Sequence, residues 1–227
     1  MRPSPILQRE SLTTSASLER MGLAQDVLHE AVLVGHEEQG RCTENDVAAM
    51  SGFVGWGKPL RSLRDQLAPL GWTRRRDHGF ESVVSPDGSW QIAYAAGNAA
   101  TGRHDRMPAT RLDKGPRTGL AVVENGQIRF PESASAHFAP PQNPSIETWF
   151  LLAFYDEVVE EIRSELSRPV RFAPLSKGNK RGEKSRRGYL DSFDPRLILD
   201  PVSLVESADV EDLHNEPIDI DVRRRSG

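Results

Sequence analysis

A single cysteine, Cys42, in 227 residues leaves no partner for an intrachain disulfide, and a cytoplasmic location is the expectation. No apolar run approaches the roughly 20 residues that a bilayer-crossing helix needs, which excludes a membrane span and a membrane partner. The opening stretch MRPSPILQRESLTTSASLER lacks the roughly 7–15-residue apolar core of a secretory signal and reads as a polar, mobile lead-in. Metal-ligand spacing is missing too: Cys42 and His36 have no further Cys or His at a suitable interval, so no metal and no cofactor is expected. The histidines at 29, 36, 78, 104, 137 and 214 are scattered, and none sits beside a nucleophile in a strand-turn-helix elbow. An enzyme is therefore the less favoured class.

The composition that remains, 37% hydrophobic and 27% charged with 16 prolines and 18 glycines, is that of a globular chain rich in loops. Its formal net charge of −4 gives no overall attraction to nucleic acid. Positive charge is concentrated locally in Arg74-Arg75-Arg76, in Lys177 to Arg187 and in Arg223-Arg224-Arg225, whereas Glu206 to Asp221 is acidic. For the last two basic clusters a solvated face is the bland reading.

Apolar residues at Leu18, Met21, Ala24, Val27, Leu28, Ala31 and Val32 follow the spacing of one helix face and predict a helix from Leu18 to about Glu38. Thr43 stands three residues before Asp46, close to a capping box, and predicts a short helix from Glu44 to about Met50. Ser51-Gly52 and the glycines at 55 and 57 are read as a turn, with Pro59 in the first turn of a third helix whose buried side carries Leu60, Leu63, Leu67 and Leu70. Trp72 to Arg76 and Phe80 to Val84 read as extended, Ser85-Pro86-Asp87-Gly88 as a turn, and Ser89 to Ala95 as the return strand.

Helix, helix, helix and basic hairpin within Leu18–Ala95 resemble a winged helix-turn-helix. The resemblance implies a recognition helix over Pro59 to Pro69, with Lys58, Arg61 and Arg64 contacting double-stranded DNA and Arg74, Arg75 and Arg76 acting as wing contacts to phosphate. Winged helices also serve as protein-binding or dimerisation modules, so a protein–protein adaptor is the alternative of another class.

Residues 97–114 show no periodicity and read as a loop at a domain border. Thr118 to Val123 and Gln127 to Phe130 flank Asn125-Gly126 and predict a hairpin; residues 131–145 read as a proline-rich loop. Thr148 to Tyr155 predicts a buried strand, Glu157 to Leu166 a helix, and Val170 to Phe172 a strand before the basic loop. Short apolar runs come later at Leu197–Leu199 and Val202–Val205. The expected fold is thus α+β: a lead-in over 1–16, a winged-helix-like domain over 17–96, a β-rich mixed domain over 97–205 that contacts a protein partner or forms a homodimer, and a disordered tail over 206–227.

Other chemistry is weaker. Gly97 to Gly102 superficially resembles a phosphate loop but lacks the Gly-Lys-Ser/Thr ending, and Lys114 reads as part of a turn. A secondary basic loop carries Lys177, Lys180, Arg181, Lys184, Arg186 and Arg187. A metal-dependent nuclease would have to gather Glu147, Asp156, Glu157 and Lys184, while Glu81 and Asp87 lie on the expected wing. The blocks GNAATG, TWFLLAF and ELSRP resemble segments of bacterial proteins from mobile-element or phage-defence loci, which implies a bacterial DNA-associated accessory or regulatory role.

Overall fold

The structure, a computed structural model, describes residues 5–128, 146–175 and 187–205, with only the backbone at 5–12 and 127–128. The expected loop at 131–145, most of the basic loop and the tail over 206–227 lie outside the described residues. The class is α+β: helices come mostly first, strands afterwards.

Helix α1 spans Pro5–Arg20 and α2 spans Gln25–Gly40, so the one helix expected over Leu18–Glu38 is two. Gly22, at φ 68, ends the first of them, and the amide of Leu23 closes back on the carbonyl of Leu18 at 2.9 Å. This is a Schellman ending, in which a left-handed glycine lets orphan carbonyls find donors.

The expected pair of short helices is instead a single α3, Met50–Leu67, with Pro59 inside it. One half of the box forms, the amide of Thr43 donating to the Asp46 carboxylate at 2.8 Å, while the Thr43 hydroxyl accepts from the Asn45 amide, and only turns come after it. Of the α3 glycines only Gly55 sits against α2, whereas a Cβ at Gly52 or Gly57 would meet nothing within 4 Å. A Cβ at Gly35 would lie 2.3 Å from Pro59 Cγ, and one at Gly55 would lie 2.7 Å from the Gln39 amide oxygen. The two helices approach closely at Gly35 and Gly55, and α3 runs through its glycines despite their intrinsic tendency to break helices.

Three strands come next, where the sequence predicts them: β1 Thr73–Asp77, β2 Phe80–Val84 and β3 Trp90–Ala96. His78 and Gly79, both at positive φ, make the two-residue turn that matches strand twist. At the second turn the Gly88 amide donates to the Ser85 carbonyl at 3.0 Å, and Ser85 and Ser89 hydrogen-bond Asp87, pulling its pKa down to about 2.

The second half departs further. Helix α4 spans Pro116–Ile128 where a hairpin was expected. Thr118, Ala121, Val122 and Asn125 are buried on one helical face. Asn125 is no turn residue: its side chain accepts from the Thr148 amide at 2.8 Å and donates to the carbonyls of Thr148 and Pro169. Strand β4 is Glu147–Asp156, β5 is Glu161–Pro174, β6 is Gly188–Ile198 and β7 is Val202–Ser203. The helix expected over Glu157–Leu166 is thus a turn and the start of β5. Val158, Ile162 and Leu166 are four apart, a spacing that a strand of period two satisfies as well as a helix does.

These strands make one sheet in the order β1-β2-β3-β4-β5-β6, with β7 also on β5. Only β3 and β4 run parallel, so the sheet continues from one side of residues 97–114 to the other. Helices α1 to α3 cover one face through a core that includes Leu28, Leu63, Leu67, Ile92, Leu151 and Leu166. On the other face α4 packs over a smaller cluster that includes Val122, Phe150, Leu152 and Phe193. Among the described residues no helix is long and apolar enough to cross a membrane.

Candidate interaction surface

Helical geometry at 3.6 residues per turn puts Phe53, Trp56, Leu60, Leu63 and Leu67 of α3 on one stripe, because their spacings alternate between three and four. The stripe does not meet the same environment along its length. Leu67 and Leu63 are 0% exposed and Leu60 2%, whereas Trp56 is 39% and Phe53 65% exposed. The C-terminal half of the stripe is core; its N-terminal half continues the same apolar face into open space. Met50 and Val47, also exposed, extend the apolar surface at that end. An aromatic pair held on a packed helix is the kind of surface that other macromolecules cover.

The basic residues beside this stripe are not equivalent. Lys58 is ion-paired with Glu38 of α2. Arg64 is drawn inward, where one guanidinium nitrogen donates to the Glu81 carboxylate at 2.7 Å and to the carbonyls of Ser82 and Arg75 at 3.1 and 3.3 Å. Arg61 projects from α3 into the open and approaches Asp65 one turn on, at 3.3 Å.

On β1 the register pairs Arg74 with Val83, Arg75 with Ser82 and Arg76 with Glu81. Successive strand residues point to opposite faces. Val83 belongs to the helix-side core and Ser82 hydrogen-bonds Gln91 on the other side, so Arg74 and Arg76 lie on the α3 face and Arg75 on the α4 face. There Arg75 approaches Asp77 at 3.7 Å, and Arg117 of α4 bonds the same carboxylate. Hydrogen bonds from His78 and Arg117 hold the Asp77 carboxyl below the usual range. Of the six residues expected to contact DNA, Arg61, Arg74 and Arg76 are the exposed ones, all on the α3 side of the sheet, and Arg76 there approaches the Glu81 carboxylate at 3.3 Å.

The remaining candidates do not come together. Arg187 makes a two-nitrogen pair with Asp113 at 2.5 and 3.0 Å, while Lys177, Lys180, Arg181, Lys184 and Arg186 lie outside the described residues. Glu147 pairs with Arg168, and Asp156 with Arg163; Glu157 lies exposed in the β4–β5 turn. Among the described residues no group of three or more potential metal ligands is found. His36 packs against Tyr155 with ring centroids 4.4 Å apart, and the thiol of Cys42 lies 3.9 Å from the Glu38 carbonyl.

The Gly97–Gly102 loop folds on itself. Asn98 accepts from the amides of Ala100 and Ala109, and the Gly102 amide donates to buried Glu165 at 3.0 Å. Burial lowers the Lys114 amine to about 8.

Phe53 and Trp56 were not among the residues singled out from the sequence, although the signal existed as a three/four repeat running through the glycines. It was obscured because Gly52, Gly55 and Gly57 read as a turn. The chain matches no protein-family model, no curated protein and no solved structure.

Proposed function

We propose that this protein is a protein-binding adaptor that receives an amphipathic segment of a partner along the exposed half of the α3 stripe. The observation that carries the reading is the continuity of Phe53 and Trp56 with the buried Leu60, Leu63 and Leu67. A helix face that is core for half its length and open for the rest is completed by another apolar face, the helix-in-groove mode of recognition. Exposed Arg61, Arg74 and Arg76 on that side of the sheet favour a partner with acidic residues flanking its apolar positions. The same arginines disfavour a second copy of the chain, since a two-fold contact over α3 would bring like charges together. The adaptor is assigned to the cytoplasm, in keeping with its lone cysteine.

The test places a photo-crosslinking amino acid at 53, at 56 and, as a control, at the exposed Val158, in the full chain within its own cells. One polypeptide captured from both α3 positions, absent at 158 and lost when Arg61, Arg74 and Arg76 are reversed to Glu, supports the reading. Equal capture at all three positions, or none, overturns it.

Duplex DNA binding is a second reading, favoured by the exposure of Arg61, Arg74 and Arg76 on one side of the sheet. Three phosphate contacts would give a slope of log affinity against log salt of about −2.7. Affinity for a mixed-sequence duplex that is unchanged after reversal of all three arginines counts against it.

A further inference from the structure

The described chain ends at Val205, just after β7, which pairs with Glu161 and Ile162 of β5. Val202 and Leu204 pack against the helix-side core. The described chain therefore stops beside the core that α1 to α3 cover, on the side of the sheet that also carries the open stripe and the exposed Arg61, Arg74 and Arg76.

Residues 206–221 have the sequence ESADVEDLHNEPIDID, carboxylates without a lysine or arginine among them. Val210, Leu213, Ile218 and Ile220 are interspersed with those acids. This is the chemistry that the stripe asks of a partner: apolar groups for Phe53 and Trp56, negative charge for Arg61, Arg74 and Arg76.

Reach is ample. Sixteen residues span up to about 55 Å when extended, whereas β7, on the far side of β5 from β4, is five strand spacings from β1, about 24 Å.

We propose that the acidic segment 206–221 is an internal ligand of the α3 stripe, covering Phe53 and Trp56 until a partner displaces it. The inference rests on the reading of the stripe as a binding surface and adds its regulation. Tethering gives the segment an effective concentration in the millimolar range, so even weak contacts hold it in place. A partner then binds only by outcompeting it, and neutralising the segment raises partner affinity without any change in the surface itself.

The experiment uses the full chain with Cys42→Ser and Asn215→Cys, carrying a nitroxide at position 215, and follows the indole N–H signal of Trp56. The expected result is loss of most of that signal when the label is paramagnetic, with the amide of Val158 unaffected. The signal should return in about 0.5 M salt, where screening shortens to a few ångströms. It should also return when Asp209, Glu211, Asp212, Glu216, Asp219 and Asp221 are changed to their amides.

A Trp56 signal indifferent to the label, or one still lost after the acids are neutralised, overturns the proposal. Those outcomes leave the adaptor reading standing if the crosslinks at 53 and 56 still capture their partner. Label-dependent loss at Trp56 without any captured partner would instead retain the internal contact and remove the adaptor reading.

Discussion

Gly35 of α2 faces Pro59 of α3 so closely that a Cβ on the glycine would lie 2.3 Å from the proline ring. The pair fixes how near the two helices run and so how α3 presents Phe53 and Trp56. Replacing Gly35 by alanine is expected to destabilise the fold by about 1–3 kcal/mol, the usual cost of overpacking a contact that cannot relax freely. Pro59→Ala in the same chain should recover most of that loss. Urea unfolding of the two single variants and the double variant measures the coupling, and strictly additive effects would show that the two residues do not determine the packing.

The α3 stripe makes opposite predictions at its two ends. Leu63→Ala should cost about 2–5 kcal/mol, because the side chain is fully buried in the helix-side core. Phe53→Ser should change stability by no more than about 0.5 kcal/mol, as for other exposed positions, while abolishing capture of the partner at 56. Equal destabilisation by both changes would mean that the whole stripe is core.

Glu165 is wholly buried and held by Arg196 through nitrogens 2.5 and 3.1 Å from its oxygens, by the Ser167 hydroxyl at 2.8 Å and by the Gly102 amide. Removing Arg196 alone leaves a buried carboxylate uncompensated, so Arg196→Met should cost about 3–5 kcal/mol. Adding Glu165→Met should restore part of that, and denaturation midpoints of the three variants decide it. If Arg196→Met proves harmless, the pair does not anchor residues 97–102 to the sheet.

Lys114 titrates near 8 in the fold against 10.5 for an ordinary lysine because burial disfavours its charge. With the native value the lower one, the unfolded chain binds the proton more tightly between those two pH values. Stability should therefore rise as pH increases from about 8 to 10.5, by an amount on the order of 2 kcal/mol from this group. Lys114→Met should be more stable than the parent chain at pH 7 and should lose that part of the pH dependence. Chemical denaturation at pH 7, 9 and 10 tests both, and identical pH profiles for the two chains would remove the burial argument.

Legibility was uneven for physical reasons. Strands β1 to β3 were readable because alternation, a Ser-Pro-Asp-Gly turn and β-branched or aromatic residues agree over a short span. Asn125-Gly126 carries a hairpin signal that is local, yet Asn125 finds its partners on β4 and β5, 23 and 44 residues away. Its three buried hydrogen bonds are available only once the sheet exists. Likewise Ile162 and Leu166 fit either period until β4 pairs with them, with Leu151 opposite Leu166 and Tyr155 opposite Ile162.

The candidate surface shows the same division. That Arg74, Arg75 and Arg76 cannot all point one way was implicit in their placement on a strand, since period two sends the middle one to the other face. That Lys58 and Arg64 are neutralised by Glu38 and Glu81 was not, because those carboxylates come from another helix and another strand.

By itself the sequence determined the α+β class, the turn chemistry and the buried Leu60, Leu63 and Leu67 side of α3, all of which rest on propensity and periodicity within a few residues. Only the tertiary structure decided that the glycines of α3 stay helical, that α4 is a helix and that the stripe is half buried and half open. Those outcomes depend on contacts between distant segments, such as Gly35 with Pro59 and Asn125 with Thr148, and such contacts outweigh local preference once the chain has closed around them.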